Sequence, residues 1–454
     1  MASRGSDPIR RPLRVPRLPA PKFPPVLSLA FAWTLLWAAS AVAQPLPPVP
    51  VPAANPITPQ KAVLGKILFW DQQLSSDHTV ACGSCHLTEF GGADPAVAVH
   101  PGADLIFFNA DDIFGSPGVV RRDPGGAAIA DPIFGFNRQV TGRAAPNFFG
   151  GSWNFEVLWD GRASTAFDDP ITGVNLIPVD GTLESQSLGP ILNSVEMSKD
   201  GRSWGSVTSQ LAFVKPLVLA TALPPDVAAA ITAFPTYPDL FNAAFGTPDV
   251  TPARIAFAIA TYERTLVPDQ TPWDAFIAGV GTALSPAQQA GWNFFQGASC
   301  AGCHRPPLFT DSRFASIGLR DIADDIGREV VTGLPSDRGH FKIPTLRNAG
   351  LKPSYMHTGQ FANLLNVVRF YQPGAPRFFP NLSPGIPVLF PPGVELPLVD
   401  FLQNGLTDPR VAARAFPFDR PVLAAPEPAG SWQLGAGLAA LLGLRAARSR
   451  RRGC

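Results

Sequence analysis

Cys82-Gly-Ser-Cys85-His86 and Cys300-Ala-Gly-Cys303-His304 repeat one spacing, and they use four of the five cysteines in the chain. Cys-x-x-Cys-His is the attachment pattern of c-type haem. Two thiols add to the two vinyl groups of one haem, and the adjacent imidazole ligates the iron. Neither run has a second cysteine pair or a His-x-x-x-His nearby, so a tetrahedral zinc site lacks its ligands. A redox dithiol needs a βαβ setting that the flanking sequence does not supply. The spacing therefore implies two covalently bound haem c groups, with His86 and His304 as proximal iron ligands. The fifth cysteine, Cys454, is the last residue.

Each motif needs an element to carry it. Thr58-Pro59 reads as an N-cap followed by a first-turn proline. Val63, Leu64, Ile67 and Leu68 form one apolar helical face behind it, and a turn near Ser75–Asp77 leads to Cys82. Ser285-Pro286 starts a second such helix, which ends in Phe294-Phe295 just before Cys300. This weak internal repeat suggests two related haem units. Apolar residues recur at helical spacing over 206–245 and 252–266, and strict alternation is scarce. The expected fold is mostly α, two cytochrome c-like haem domains with long loops and little β. The expected boundaries are a signal segment at 1–43, a proline-rich linker at 44–57, an N-terminal haem domain at 58–215, a C-terminal haem domain at 216–425 and a tail at 426–454. Residues 91–142, rich in Gly, Asp and Pro, read as a long loop or insertion packed over the first haem. Its acids Asp104, Asp111, Asp112 and Asp123 read as a solvated loop in preference to a calcium site.

The formal net charge of +1 hides an asymmetry. Of 36 basic and 35 acidic residues, 1–43 hold six and one and 426–454 hold five and one, leaving 25 and 33 over 44–425, a net of −8. Such a body favours a basic protein partner over nucleic acid. Residues 1–43 read as a secretory signal: a basic stretch, an apolar run from Val26 to Ala39 too short to span a bilayer, and Ala41-Val42-Ala43 as the cleavage site. Export agrees with haem c, which is attached outside the cytoplasm. At the other end, Pro426-Glu427-Pro428, the apolar run Trp432–Leu444 and five arginines resemble the PEP-CTERM sorting signal, which an exosortase recognises and removes. The implied destination is the periplasm, cell envelope or extracellular matrix of a Gram-negative bacterium.

The body, roughly 60–423, resembles the bacterial di-haem cytochrome c peroxidase and MauG family. The residues that carry the likeness begin with Leu64-Gly65-Lys66 and the first haem motif. They continue through Trp159-Asp160-Gly161-Arg162, Gly189-Pro190-Ile191-Leu192-Asn193 with Val195-Glu196-Met197, and Tyr262-Glu263-Arg264-Thr265-Leu266. After the second motif come Phe341-Lys342-Ile343-Pro344-Thr345-Leu346-Arg347-Asn348, Tyr355-Met356-His357, Leu406-Thr407-Asp408-Pro409 and Pro417-Phe418-Asp419. The resemblance implies that Met356 is the distal ligand of the C-terminal haem. A thioether ligand raises the haem potential, and Tyr355 and His357 are the neighbouring alternatives. It implies that Glu196 is the acid–base group over the N-terminal haem and that Trp159 lies between the two haems. Arg162 is expected to hold a haem propionate or brace its loop.

Two departures from the family pattern stand out. Many of these peroxidases carry a distal histidine on the N-terminal haem in the resting state; the corresponding position falls near Phe136, and His100 is the one histidine in the intervening loop. An open N-terminal haem is therefore expected. The family's interdomain calcium uses an Asn just after the Thr-Gly-Arg run, and here that residue is Ala144. The leading expectation is a peroxidase that reduces hydrogen peroxide with electrons from a cytochrome c or cupredoxin. A MauG-like oxidase of a protein or organic substrate and a plain electron carrier are the alternatives. Relatives are often dimers, so a homodimer is compatible.

Overall fold

The two Cys-x-x-Cys-His segments are held by two hydrophobic cores that share one body. The computed structural model describes residues 45–424 except Phe379; the signal and tail readings lie outside them. Among the described residues helices dominate, and the ten short strands pair only as two-stranded antiparallel ladders.

The first core is built on two crossed helices. Pro59–Trp70 starts as expected: the Thr58 side chain accepts the Lys61 N–H, with proline in the first turn. It packs on Pro252–Thr265, whose N-terminus is capped by Thr251. The crossing is close because position 65 is glycine; a Cβ there would collide with the Ala258 carbonyl oxygen. Leu64, Ile67, Leu68, Ile255 and Ile259 are buried at this seam. Removing that apolar surface from water contributes about 25 cal/mol per Å². The second core gathers Trp273, Trp292, Phe295, Phe309 and Phe401 around the helix Pro286–Gly297, which opens with the Ser285–Gln288 capping box.

Two sequence readings need correction. A boundary at 215/216 does not match the packing: Leu217, Val227, Tyr237, Phe241 and Ile259 all belong to the first core, as do Val411 and Phe418. The seam between the cores falls after Leu266, because the amphipathic helices of 225–265 bury their apolar faces against the first helix. Residues 91–142 are also more than a loop. Ala98–His100 pairs with Ile113–Gly115, and Pro117–Val120 pairs with Arg138–Val140. These strands are three or four residues long, too short for alternation to register. The acids of this segment cap their own turns: Asp111 accepts the Ala103 and Asp104 N–H groups, and Asp112 accepts that of Phe108. Among the described residues, no three metal-ligating acidic, His or Cys side chains cluster. No described helix is long and apolar enough to cross a membrane.

Candidate active site

Cys82–Cys85 and Cys300–Cys303 each form a single helical turn, with the histidine at the C-cap. All four thiols are free. Burial pushes Cys82 up to about 12 and Cys300 up to about 11, and raises Cys85 and Cys303 as well. Reactive dithiols show the opposite shift. His86 Nδ1 bonds the Gly92 carbonyl at 3.0 Å; His304 Nδ1 lies 3.1 Å from the carbonyls of Phe309 and Pro344. Burial lowers both imidazoles below their ordinary value. Each ring is thus fixed through Nδ1 with Nε2 free to ligate a metal, the arrangement that orients a metal-ligating histidine.

Cys82, Cys85 and His86 form one wall of a cavity. Phe69, Phe148, Phe149 and Ile259 line it, and Trp159, Glu196, Glu263, Lys342 and Arg347 bring polar groups to it. An apolar slot with two thiols and a fixed imidazole on one side and a few charged groups on the others fits a haem. Among the described residues in the wall, His86 is the one imidazole. His100 lies in the inserted segment, where Nδ1 accepts the Gly102 N–H and the ring packs on Phe134. Phe136 is largely exposed.

Glu196 is placed by its loop. The Val195 carbonyl accepts the Val119 N–H at 3.0 Å, and the Gln139 side chain donates to the Ser194 carbonyl at 2.8 Å. Position 118 must be glycine for this approach, since a Cβ there would strike the Val195 carbonyl oxygen. The inserted strand pair therefore sets the height of Glu196 over the cavity. Burial raises its carboxyl above the ordinary range, with Arg162 opposing.

Trp159 lies where the two halves meet. Its indole N–H donates to the Ala144 carbonyl at 2.8 Å, and its carbonyl accepts the Lys342 N–H at 2.8 Å. Arg143 bridges Asp160 and Asp325, both at 2.7 Å, across the same seam. Arg162 also reaches Asp160, at 3.2 Å. Met356 sits in a left-handed backbone turn at φ 68°. The Tyr355 hydroxyl donates to the Ala349 carbonyl at 2.9 Å, and burial raises it to about 12. The His357 ring stacks on Phe341 at 3.6 Å; burial pushes it down to about 3, and Nε2 has no hydrogen-bond partner among the described residues. Tyr355 is thus committed elsewhere, whereas His357 Nε2 is left without a partner among the described residues.

Sequence reading overlooked Glu263 and Lys342 as site residues. Ile259 and Glu263 are four residues apart and both line the cavity, so a charge on an apolar helical stripe was the available signal. Lys342 donates to Asn154 at 2.6 Å, and burial lowers it to about 8.

Residues 59–282 match the family described as di-haem cytochrome c peroxidase. The methylamine utilization protein MauG of Methylorubrum extorquens is 30% identical over 339 residues, 74% of each chain. The cytochrome c551 peroxidase of Pseudomonas aeruginosa is 30% identical over 359 residues, 75% of this chain and 82% of the relative. Among solved structures, a MauG-like protein associated with microbial copper homeostasis shares the fold at a TM-score of 0.56 and 23% identity, covering 84% of this chain and 97% of that one. The di-haem peroxidase of Burkholderia thailandensis does so at a TM-score of 0.53 and 22% identity, covering 85% and 94%. The chain belongs to the di-haem cytochrome c peroxidase and MauG family of oxidoreductases.

Proposed function

We propose that the protein reduces hydrogen peroxide to water at the cavity beside His86, with electrons delivered through the half that carries His304 by a small cytochrome c or cupredoxin. The observation that carries this reading is that Glu196 shares the cavity with Cys82, Cys85 and His86, where no second imidazole stands in the described wall. Haem bound to each motif would supply an iron centre that takes up peroxide or passes electrons. Cys82, Cys85, Cys300 and Cys303 would hold the two groups covalently, and His86, His304 and Met356 would ligate them.

The reaction is H2O2 + 2 e⁻ + 2 H⁺ → 2 H2O. Glu196, as the carboxylate, takes the proton from one peroxide oxygen and returns it to the other, so that the departing oxygen leaves as water. Positioned proton transfer of this kind contributes roughly 10²–10⁴-fold. Phe69, Phe148 and Phe149 keep bulk water from the carboxyl, which strengthens its interaction with the substrate. Trp159 lies on the path between the two motifs and shortens the electron transfer across the seam. The acidic body suits a basic donor protein and gives no footprint for nucleic acid. Export to the periplasm or envelope, exosortase processing of the tail and a homodimer complete the reading.

The missing distal imidazole also favours a second reading, a MauG-like oxidase of a protein or organic substrate. Electronic and EPR spectra of the oxidised and half-reduced protein, followed by peroxide, decide. A high-spin haem with peroxide-driven turnover of reduced cytochrome c supports the peroxidase. Peroxide reaction without cytochrome c turnover supports the oxidase. Two low-spin haems inert to peroxide refute both.

A further inference from the structure

Glu263 is a second carboxyl group in the wall of the His86 cavity, and it has no task in the fold. It is 7% exposed, and Oε2 has no hydrogen-bond partner among the described residues. The nearest cation is already spoken for. Arg264, the next residue, makes a bidentate pair with Glu184 at 2.6 and 2.8 Å, both side chains fully buried. Glu184 also accepts from Asn55. The charged groups facing Glu263 from the packed elements are few. Arg264 lies on its own helix, Glu184 on the helix Thr182–Ser187, and the Cys82 thiol on the haem turn. Tyr262 bonds Trp70 at 3.0 Å. On the first helix, Lys66 is neutralised by Asp226 and Asp419, and Lys61 donates to Asn55.

A buried carboxylate without a partner is costly, whereas its neutral acid is tolerated. Burial accordingly pushes Glu263 up to about 8; Arg264 opposes this and Glu184 reinforces it. A neutral carboxylic acid has one O–H to donate, and the cavity is where an acceptor can sit. Both Glu263 and Glu196 act electrostatically on Cys82, and both line the cavity.

We propose that Glu263 is the proton reservoir of the cavity, handing protons through cavity water to Glu196. The inference rests on the peroxide chemistry proposed above, which consumes two protons per turnover in a largely apolar slot. Glu263 releases its proton to water, which passes one on to the Glu196 carboxylate. Arg264 stabilises the transient Glu263 carboxylate, which then regains a proton from water. No electrons move in this step.

The test is infrared spectroscopy of the oxidised holoprotein together with peroxide kinetics. A carbonyl-stretch band of a protonated carboxylic acid, sensitive to D2O, is expected at neutral pH. It should persist in Glu196→Gln and vanish in Glu263→Gln. Turnover in Glu263→Gln should fall at least about tenfold, and the alkaline limb of the pH profile should shift. If Glu263→Gln fails to fold, the Glu196→Gln spectrum alone decides, and absence of the band overturns the proposal. Wild-type turnover with an unaltered Glu263→Gln profile and isotope effect overturns the relay alone. A wild-type protein that never reacts with peroxide overturns the relay together with the function on which it rests.

Discussion

Trp159 and His357 face each other with ring centroids 6.1 Å apart and planes tilted by 64°, and both are tied to Ala144. The indole N–H donates to the Ala144 carbonyl, and the Ala144 N–H donates to the His357 carbonyl, each at 2.8 Å. One residue thus holds the tryptophan of the first half against the loop that carries Met356 in the second.

Trp159→Phe removes the donor to Ala144 and leaves a buried carbonyl unpaired. The expected cost is about 1–3 kcal/mol, measured by chemical denaturation. Turnover with a protein electron donor should fall, while stopped-flow mixing shows an unchanged first reaction with peroxide. A variant that keeps full turnover would remove Trp159 from the electron path.

Glu196→Gln should lower peroxide turnover by about 10²–10⁴-fold at unchanged haem content. The carboxylate is the active form, and burial raises its value. The acid limb of kcat/KM should therefore lie above the ordinary carboxylate range. A limb at the ordinary value would contradict the enclosure seen here.

Gly118→Ala tests the inserted strand pair. The new methyl must displace the Val195 carbonyl and with it Glu196, at an overpacking cost of about 1–3 kcal/mol. Activity is expected to fall although residue 118 does not line the cavity, and haem incorporation should stay intact.

Arg264→Met strands Glu184 as a buried charge. Breaking such a pair costs about 3–5 kcal/mol, and thermal unfolding should show the loss. Glu184→Gln with Arg264→Met together should recover part of it.

Glu263 also predicts how stability depends on pH. Its folded value, about 8, lies above the ordinary 4.5, so between these pH values the folded state holds a proton that the unfolded state has released. Stability then falls as pH rises through this window, by up to about 1.4 kcal/mol per pH unit. Glu263→Gln should flatten that slope in denaturant titrations.

The two Cys-x-x-Cys-His turns were legible because their spacing is fixed and repeated, and the helices feeding them because Thr58 and Ser285 are unambiguous caps with proline behind. Glu196 and Trp159 were singled out through family likeness alone; nothing local distinguishes either from a surface acid or a core indole. The strand pair over Glu196 was missed because its stability comes from contacts with residues 194–195, far along the chain. Glu263 was hidden for a related reason. Its isolation depends on Arg264 being claimed by Glu184, eighty residues away, and no window of sequence contains that fact.

The first core has a consequence for biogenesis. It draws on Leu64 near one end of the described chain and Phe418 near the other, so it cannot close until nearly all of that chain has emerged. Contacts of such long sequence separation form late. Cys82-Gly-Ser-Cys85-His86 therefore stays open while the rest of the polypeptide is still arriving. The covalent attachment proposed above would then precede closure, and the finished core would lock the segment in place.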